Sequence, residues 1–223
     1  MIGYFTINVR DLDRAAAFYT AVFGWAFEST GDYRHIAGSS PAGGLTTGEP
    51  GTKPYFVVDD IAAAVARARQ GGGTANEPVQ SKSGWSVDVE DGHGTRLALW
   101  QPADGYRDDE PKCGAGDLHY FVQPVADGDA RAFWATLLGW ELTPGSHANG
   151  WNIGNSNPPG GVFVGAPGVT ILYFHVADVE AAAERVRAAG GTAGPAQPNQ
   201  AGAHAECRDD QGVAFGIGSL HDK

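Results

Sequence analysis

Residues 2–9 alternate, with Phe5, Ile7 and Val9 on one face and Tyr4, Thr6 and Asn8 on the other. That period of two is the mark of a half-buried strand. Asp11 follows where it can cap a helix, in which Leu12, Ala16, Tyr19 and Phe23 recur at helical spacing until Gly24 stops it. Short strand-like segments fall at 25–29, 33–37 and 43–47. The pattern then starts again. Lys53 to Val58 reads as a strand, and a helix runs from about Asp60 to Gln70, stopped by Gly71-Gly72-Gly73. Strands near 84–90 and 95–100 close the stretch. The predicted order is strand, helix, three strands, twice over in residues 1–100. Helices confined to one face of a sheet leave the other face free to line a groove.

The remainder of the chain repeats this text. Phe18-Tyr19-Thr20-Ala21-Val22-Phe23-Gly24-Trp25 recurs as Phe133-Trp134-Ala135-Thr136-Leu137-Leu138-Gly139-Trp140. YFVVDDIAAAVARARQGGGTA from Tyr55 recurs as YFHVADVEAAAERVRAAGGTA from Tyr173, and the same spacing aligns Asp91 with Asp209. Matches in the same order at nearly constant spacing point to a tandem duplication. The Pro-, Gly- and Asp-rich stretch 101–116 reads as a linker between domains 1–100 and 117–223. In a chain of 223 residues, each half is large enough for its own core.

Charge narrows the partners. A formal charge of −11 argues against nucleic acid and anionic membranes, both of which need clustered Lys and Arg. The opening residues have no basic, apolar leader, and no apolar run reaches the ~18 residues of a membrane span. The two cysteines, Cys113 and Cys207, form no disulfide framework and lack the spacing of a metal site. A cytoplasmic monomer or homodimer is expected.

Several of these motifs resemble the vicinal oxygen chelate superfamily, which includes glyoxalase I, bleomycin-resistance proteins and extradiol dioxygenases. They are Val9-Arg10-Asp11-Leu12-Asp13-Arg14, Phe18-Tyr19, Phe23-Gly24-Trp25, Phe56-Val57-Val58-Asp59-Asp60, and the turn Asp91-Gly92-His93-Gly94-Thr95-Arg96-Leu97. The second half repeats most of them, with Ala126 read opposite Asp11. The resemblance implies an α+β fold of two tandem glyoxalase-like domains. Each would pair two βαβββ modules into a cupped, eight-stranded mixed sheet with helices outside. Enzymes of the superfamily hold a divalent metal with His and Glu side chains facing the cup. By that resemblance the ligand positions fall on Tyr4, Lys53 and Ala98 in the first half, and on His119, Ile171 and Gly216 in the second. One imidazole cannot hold Zn²⁺, which takes three or four donors. The expectation is therefore no metal and no other cofactor.

Alternation from those positions gives the residues that line the cups. In the first half they are Tyr4, Thr6, Asn8, Lys53, Tyr55, Asp88, Glu90, Arg96 and Trp100. In the second they are His119, Phe121, Gln123, Tyr173, His175, His204 and Glu206. Aromatic walls with a few polar groups describe a small-molecule pocket. The expected function is metal-independent binding of a small aromatic molecule, as in drug or metabolite sequestration. Stacking would fall on Tyr4, Tyr55 and Trp100, or on Phe121 and Tyr173, while Asp88, Glu90 and Glu206 select a cationic or polycyclic partner. The alternative is a lyase, isomerase or oxygenase of the same fold. It would use His175, His204, Glu206 and Tyr173 in acid–base work, or a relocated divalent transition metal in the C-terminal cup. In this register His119 and His175 sit at opposite strand ends and are not expected to meet.

Overall fold

Every helix among the described residues begins at an aspartate. The carboxylates of Asp11, Asp60, Asp127 and Asp178 each accept backbone N–H groups two or three residues on, at 2.9–3.1 Å. These bonds satisfy amides that the first helical turn leaves free, a contribution of about 1 kcal/mol each. The computed structural model describes residues 1–105, 114–199 and 201–221; Cys113 and half of the expected linker lie outside them. The first half runs β1 (Ile2–Val9), α1 (Leu12–Phe23), β2 (Phe27–Thr30), β3 (Tyr33–Ile36), β4 (Ala42–Thr47), β5 (Gly51–Val57), α2 (Ile61–Gln70), β6 (Thr74–Ala75), β7 (Val79–Ser81), β8 (Gly84–Glu90) and β9 (Arg96–Pro102). The second runs β10 (Leu118–Val125), α3 (Gly128–Leu138), β11 (Leu142–Pro144), β12 (Gly150–Ile153), β13 (Gly160–Val164), β14 (Ile171–His175), α4 (Val179–Ala188), β15 (Thr192–Ala193), β16 (Gln197–Pro198), β17 (Gly202–Arg208) and β18 (Ala214–Leu220).

The caps correct the alignment of the halves. Asp127, not Ala126, does in the second half what Asp11 does in the first. Helix α1 has 12 residues and α3 has 11, and each ends on a left-handed glycine, Gly24 at φ 76° and Gly139 at φ 67°. One residue is therefore missing between cap and glycine in the second copy. Counting back from the caps, Tyr120 is the partner of Tyr4. The buried stripe of α1 also differs from the expected one: it is Ala15, Phe18, Tyr19, Val22 and Phe23.

Each half contributes one mixed sheet. The strand orders are β2-β3-β4-β1-β5-β9-β8-β6 and β11-β12-β13-β10-β14-β18-β17-β15, with β7 and β16 also pairing on β8 and β17. The first and last strands of each second module run parallel, Tyr55 beside Ala98 and Tyr173 beside Gly216. The second strand of that module is broken into two short pieces in both halves. A proline stands in each break, Pro78 and Pro195, and has no N–H to give to a ladder.

Two compact units form, and each takes one module from either half. One holds the described residues of Met1–Tyr4, Lys53–Asp109 and Phe121–Thr170; the other holds those of Phe5–Thr52, Glu110–Tyr120 and Ile171–Lys223. In the first, Phe56, Phe121 and Trp140 pack ring on ring, and buried Trp134 donates its indole N–H to Asp91 at 2.8 Å. In the second, Phe5, Phe23, Trp25, Phe174 and Phe215 form the aromatic core, and buried Tyr19 donates its hydroxyl to Asp209 at 3.1 Å. Each hairpin aspartate also accepts two backbone N–H groups of its own turn. A buried carboxylate needs all these donors, because an unpaired one would cost several kcal/mol of lost hydration.

Candidate functional site

Register sets rows of three positions on the sheet face away from the helices. In the first half Tyr55 and Asp88 both stand opposite Ala98, on either side of it, and Val57 and Ser86 both stand opposite Trp100. Ala98 carries only a methyl group, so the larger neighbours can meet across it. Lys53 Nζ lies 2.7 Å from Asp88 Oδ1 and 5.4 Å above the centre of the Tyr55 ring. The edge of Tyr4 meets Tyr55 with ring centres 5.8 Å apart and planes at 62°. Both side chains of the ion pair are about one-third exposed, 34% and 30%, so the pair is partly screened.

Three first-half expectations change. Asp88 is neutralised by Lys53, and Glu90 binds Arg96 at 2.7 Å, so neither carboxylate is free to select a cation. Arg96 is exposed at the strand end and is held there by Glu90. Trp100 is only 6% exposed and is not an open stacking surface. Its ring covers Gly3, where a Cβ would come within 2.8 Å of it and 2.6 Å of Val57. In the other unit, buried Thr6 donates to Asn8 at 3.2 Å.

The second half has the same rows with other chemistry. Tyr173 and Glu206 flank Gly216, and His175 and His204 flank Gly218. The Tyr173 ring lies over Gly216, in the space a side chain there would fill. The edge of Tyr120 meets Tyr173 at 6.0 Å and 71°, and the His204 ring lies 6.2 Å from Tyr173. Burial raises the Tyr120 hydroxyl and pushes that of Tyr173 up to about 12, with the Glu206 charge adding to it. Both remain protonated donors at neutral pH. The amide of Asn199 donates to His204 Nδ1 at 3.2 Å, which leaves the ring proton on Nε2 when the ring is neutral. Glu206 itself is exposed.

His119 and His175 meet after all. Their ring centres are 5.8 Å apart at 71°, and His119 occupies the space over Gly218, where a Cβ would lie 2.5 Å from its Nε2. His119 Nε2 and His175 Nδ1 are both buried with no hydrogen-bond partner among the described residues. Burial, with His175 beside it, lowers His119 to about 4, so its ring is neutral at pH 7.

Phe121 and Gln123 do not line the site. Phe121 is buried against Phe56 and Trp140, and Gln123 is buried, accepting a hydrogen bond from the Thr170 hydroxyl and donating to the carbonyls of Pro124 and Gly168. A one-residue slip in a strand moves every side chain to the opposite face, and reading Ala126 for Asp127 introduces that slip. The residue it hides is Tyr120. Its signal is its place seven residues before Asp127, as Tyr4 stands before Asp11. The start of β10 departs from strict alternation, since His119 and Tyr120 both touch side chains of β14 on this face. Cys207 is buried, its thiol pushed up to about 12, and so is no nucleophile.

Comparison with known proteins agrees with this architecture. A family model described as bleomycin resistance protein-like N-terminal matches residues 2–34, and a glyoxalase-like domain matches residues 107–217. A Mycobacterium bovis protein named "Putative glyoxylase CFP32" is 27% identical over 95% of this chain and 92% of its own length. Among solved structures, the Mn(II)-bound glyoxalase from Novosphingobium aromaticivorans superposes with a TM-score of 0.71 at 15% identity, covering 99% of this chain and 82% of that one. The 2,2',3-trihydroxybiphenyl 1,2-dioxygenase from Sphingomonas wittichii strain RW1 gives 0.69 at 17% identity, covering 98% and 90%.

The Mn(II)-bound neighbour overturns the expectation of no cofactor: the likeness points to a metal. The positions implied by resemblance do not fit one in this chain. With Tyr120 in place of His119 they read Tyr4, Lys53 and Ala98, then Tyr120, Ile171 and Gly216. Ammonium, methyl and hydrogen are not metal donors, and Ile171 offers only hydrocarbon. Among the described residues no three His, Cys, Asp or Glu side chains gather into a site.

Proposed function

We propose that this chain, which belongs to the vicinal oxygen chelate superfamily, binds a small uncharged aromatic molecule at the tyrosine pair repeated in its halves. The observation that carries the reading is the recurrence of one motif in both copies. Tyr4 stands edge-on to Tyr55, and Tyr120 edge-on to Tyr173, at 5.8 and 6.0 Å. A duplicated core needs apolar rings, whereas tyrosines on the face away from the helices offer a ring to stack on and a hydroxyl to bond. The protonated hydroxyls of Tyr120 and Tyr173 suit an oxygen substituent on the ligand. The internally neutralised Lys53–Asp88 pair favours a neutral molecule over a cation. One neighbouring fold belongs to a dioxygenase named for a hydroxylated biphenyl, which is the same chemical class. Sequestration of a drug or metabolite requires no more than such binding, and residues 1–100 and 117–223 are the domains that would each supply a site.

A thermal-shift panel tests the proposal, with hydroxylated monocyclic and biphenyl compounds beside cationic aromatics of the same size. A hydroxylated compound at 100 times its Kd should stabilise by ~2.7 kcal/mol. Tyr55→Ala together with Tyr173→Ala should remove the shift. Preference for the cations, or no shift with any aromatic compound, would overturn it.

A further inference from the structure

One hydrogen-bond donor on the second-half face has its polarity fixed from outside. The side-chain oxygen of Asn199 accepts the backbone N–H groups of Ala201 at 2.8 Å and Gly202 at 2.9 Å, so only its NH₂ group can face His204. That group lies 3.2 Å from His204 Nδ1, which must therefore accept, and the neutral ring carries its hydrogen on Nε2. Protonation adds a hydrogen at Nδ1 alone, so Nε2 is a donor in both forms of the ring. His204 stands opposite Gly218, and its ring lies 6.2 Å from that of Tyr173. We infer that His204 sets the ligand preference of the second half, its Nε2–H bonding a carbonyl oxygen borne by the aromatic molecule. This rests on the tyrosine-pair reading and narrows it. The acceptor must be neutral, because the Glu206 carboxylate stands two residues along the same strand face and repels an anion. The corresponding residue of the first half is Ser86, opposite Trp100. Its hydroxyl rotates and both donates and accepts, so it makes no such choice. Asn199 is a positioning residue, acting through His204 by fixing the tautomer.

A matched pair of probes isolates that bond: 4-hydroxybenzophenone and 4-benzylphenol differ only in a carbonyl for a methylene group. In full-length protein carrying Tyr55→Ala, which leaves second-half binding, calorimetry should find the ketone bound about three- to tenfold more tightly. Tyr173→Ala, which leaves first-half binding, should show no such preference. Adding His204→Phe to Tyr55→Ala keeps a ring in place and should bring the two affinities together. Ring ¹⁵N spectra should show the hydrogen of neutral His204 on Nε2, and that signal should move with the ketone. Asn199→Asp reverses the polarity, since a carboxylate accepts from Nδ1–H; near about pH 9, where imidazole is neutral, Nε2 becomes an acceptor and the ketone preference should be lost. Where a variant fails to fold by circular dichroism, the wild type's own preference and its ring spectra decide. Equal binding of the two probes would overturn the inference and leave the tyrosine-pair reading standing. So would a preference that survives His204→Phe, or a hydrogen found on Nδ1 of the neutral ring. Binding of neither probe would overturn both.

Discussion

In the first half Trp100 lies over Gly3 and against Val57; in the second the corresponding three positions hold Gly218, His119 and His175. The large residue and the glycine have changed places between the strands, so the same volume is filled from opposite sides. What differs is polarity. The first half closes the spot with an indole and an isopropyl group, whereas the second fills it with two imidazoles, each with one buried nitrogen that has no partner among the described residues. Packing tolerates an exchange that conserves volume far better than one that changes it. A duplicated sheet can therefore keep its fold while one copy gains a polar site at a place the other keeps apolar. Beside that spot, the tyrosine pair is the same in both halves.

The largest effect should come from undoing the exchange on one strand only. Gly218→Trp drives an indole into the space of His119 and should cost roughly 3 kcal/mol or more. Adding His119→Gly should recover much of that loss by restoring the first-half arrangement, a coupling of up to ~3 kcal/mol. Urea denaturation of the two single variants and the double variant measures it, and additive losses would show that the spots are not equivalent.

Acid provides the next contrast, since only the second half has a titratable group there. His119 is lowered from its usual value of 6.5 to about 4, so folding favours its neutral form. Above pH 6.5 both folded and unfolded chains hold it neutral and nothing is lost. As pH falls toward 4 the unfolded chain takes up the proton first, and stability should drop by up to about 3 kcal/mol. Denaturation of metal-free protein between pH 7 and 4 should show the slope, and His119→Phe should flatten it. A smaller test compares the hairpin aspartates. Trp134→Phe and Tyr19→Phe each remove one donor, at a cost of about 1–3 kcal/mol. The 2.8 Å bond to Asp91 should be the costlier loss than the 3.1 Å bond to Asp209.

These contrasts also mark what a sequence reveals. The module order is legible because its signals are local: alternation over residues 2–9, a cap at Asp11, a stop at Gly24. The broken second strands are too short for periodicity, and Pro78 and Pro195 interrupt them. The first-half face is largely legible, with Tyr4, Lys53 and Tyr55 where alternation puts them. The second-half face is misread from one helical residue, since a deletion inside α3 shifts the strand before it and turns Phe121 and Gln123 inward. Neither the burial of Trp100 nor the capture of Asp88 by Lys53 has a local signal. Both depend on what the neighbouring strand holds opposite, Gly3 in one case and Ala98 in the other. The meeting of His119 with His175 is hidden for the same reason, because Gly218 makes the room.

The repeated tyrosine pair is the central claim, and ring resonances test it most directly. In protein labelled at its seven tyrosines, titration with the most stabilising hydroxylated aromatic compound should move the rings of one pair together. That pair would be Tyr4 with Tyr55 or Tyr120 with Tyr173, while core-buried Tyr19 stays in place. Saturable binding that leaves all four of those rings unmoved would contradict the account.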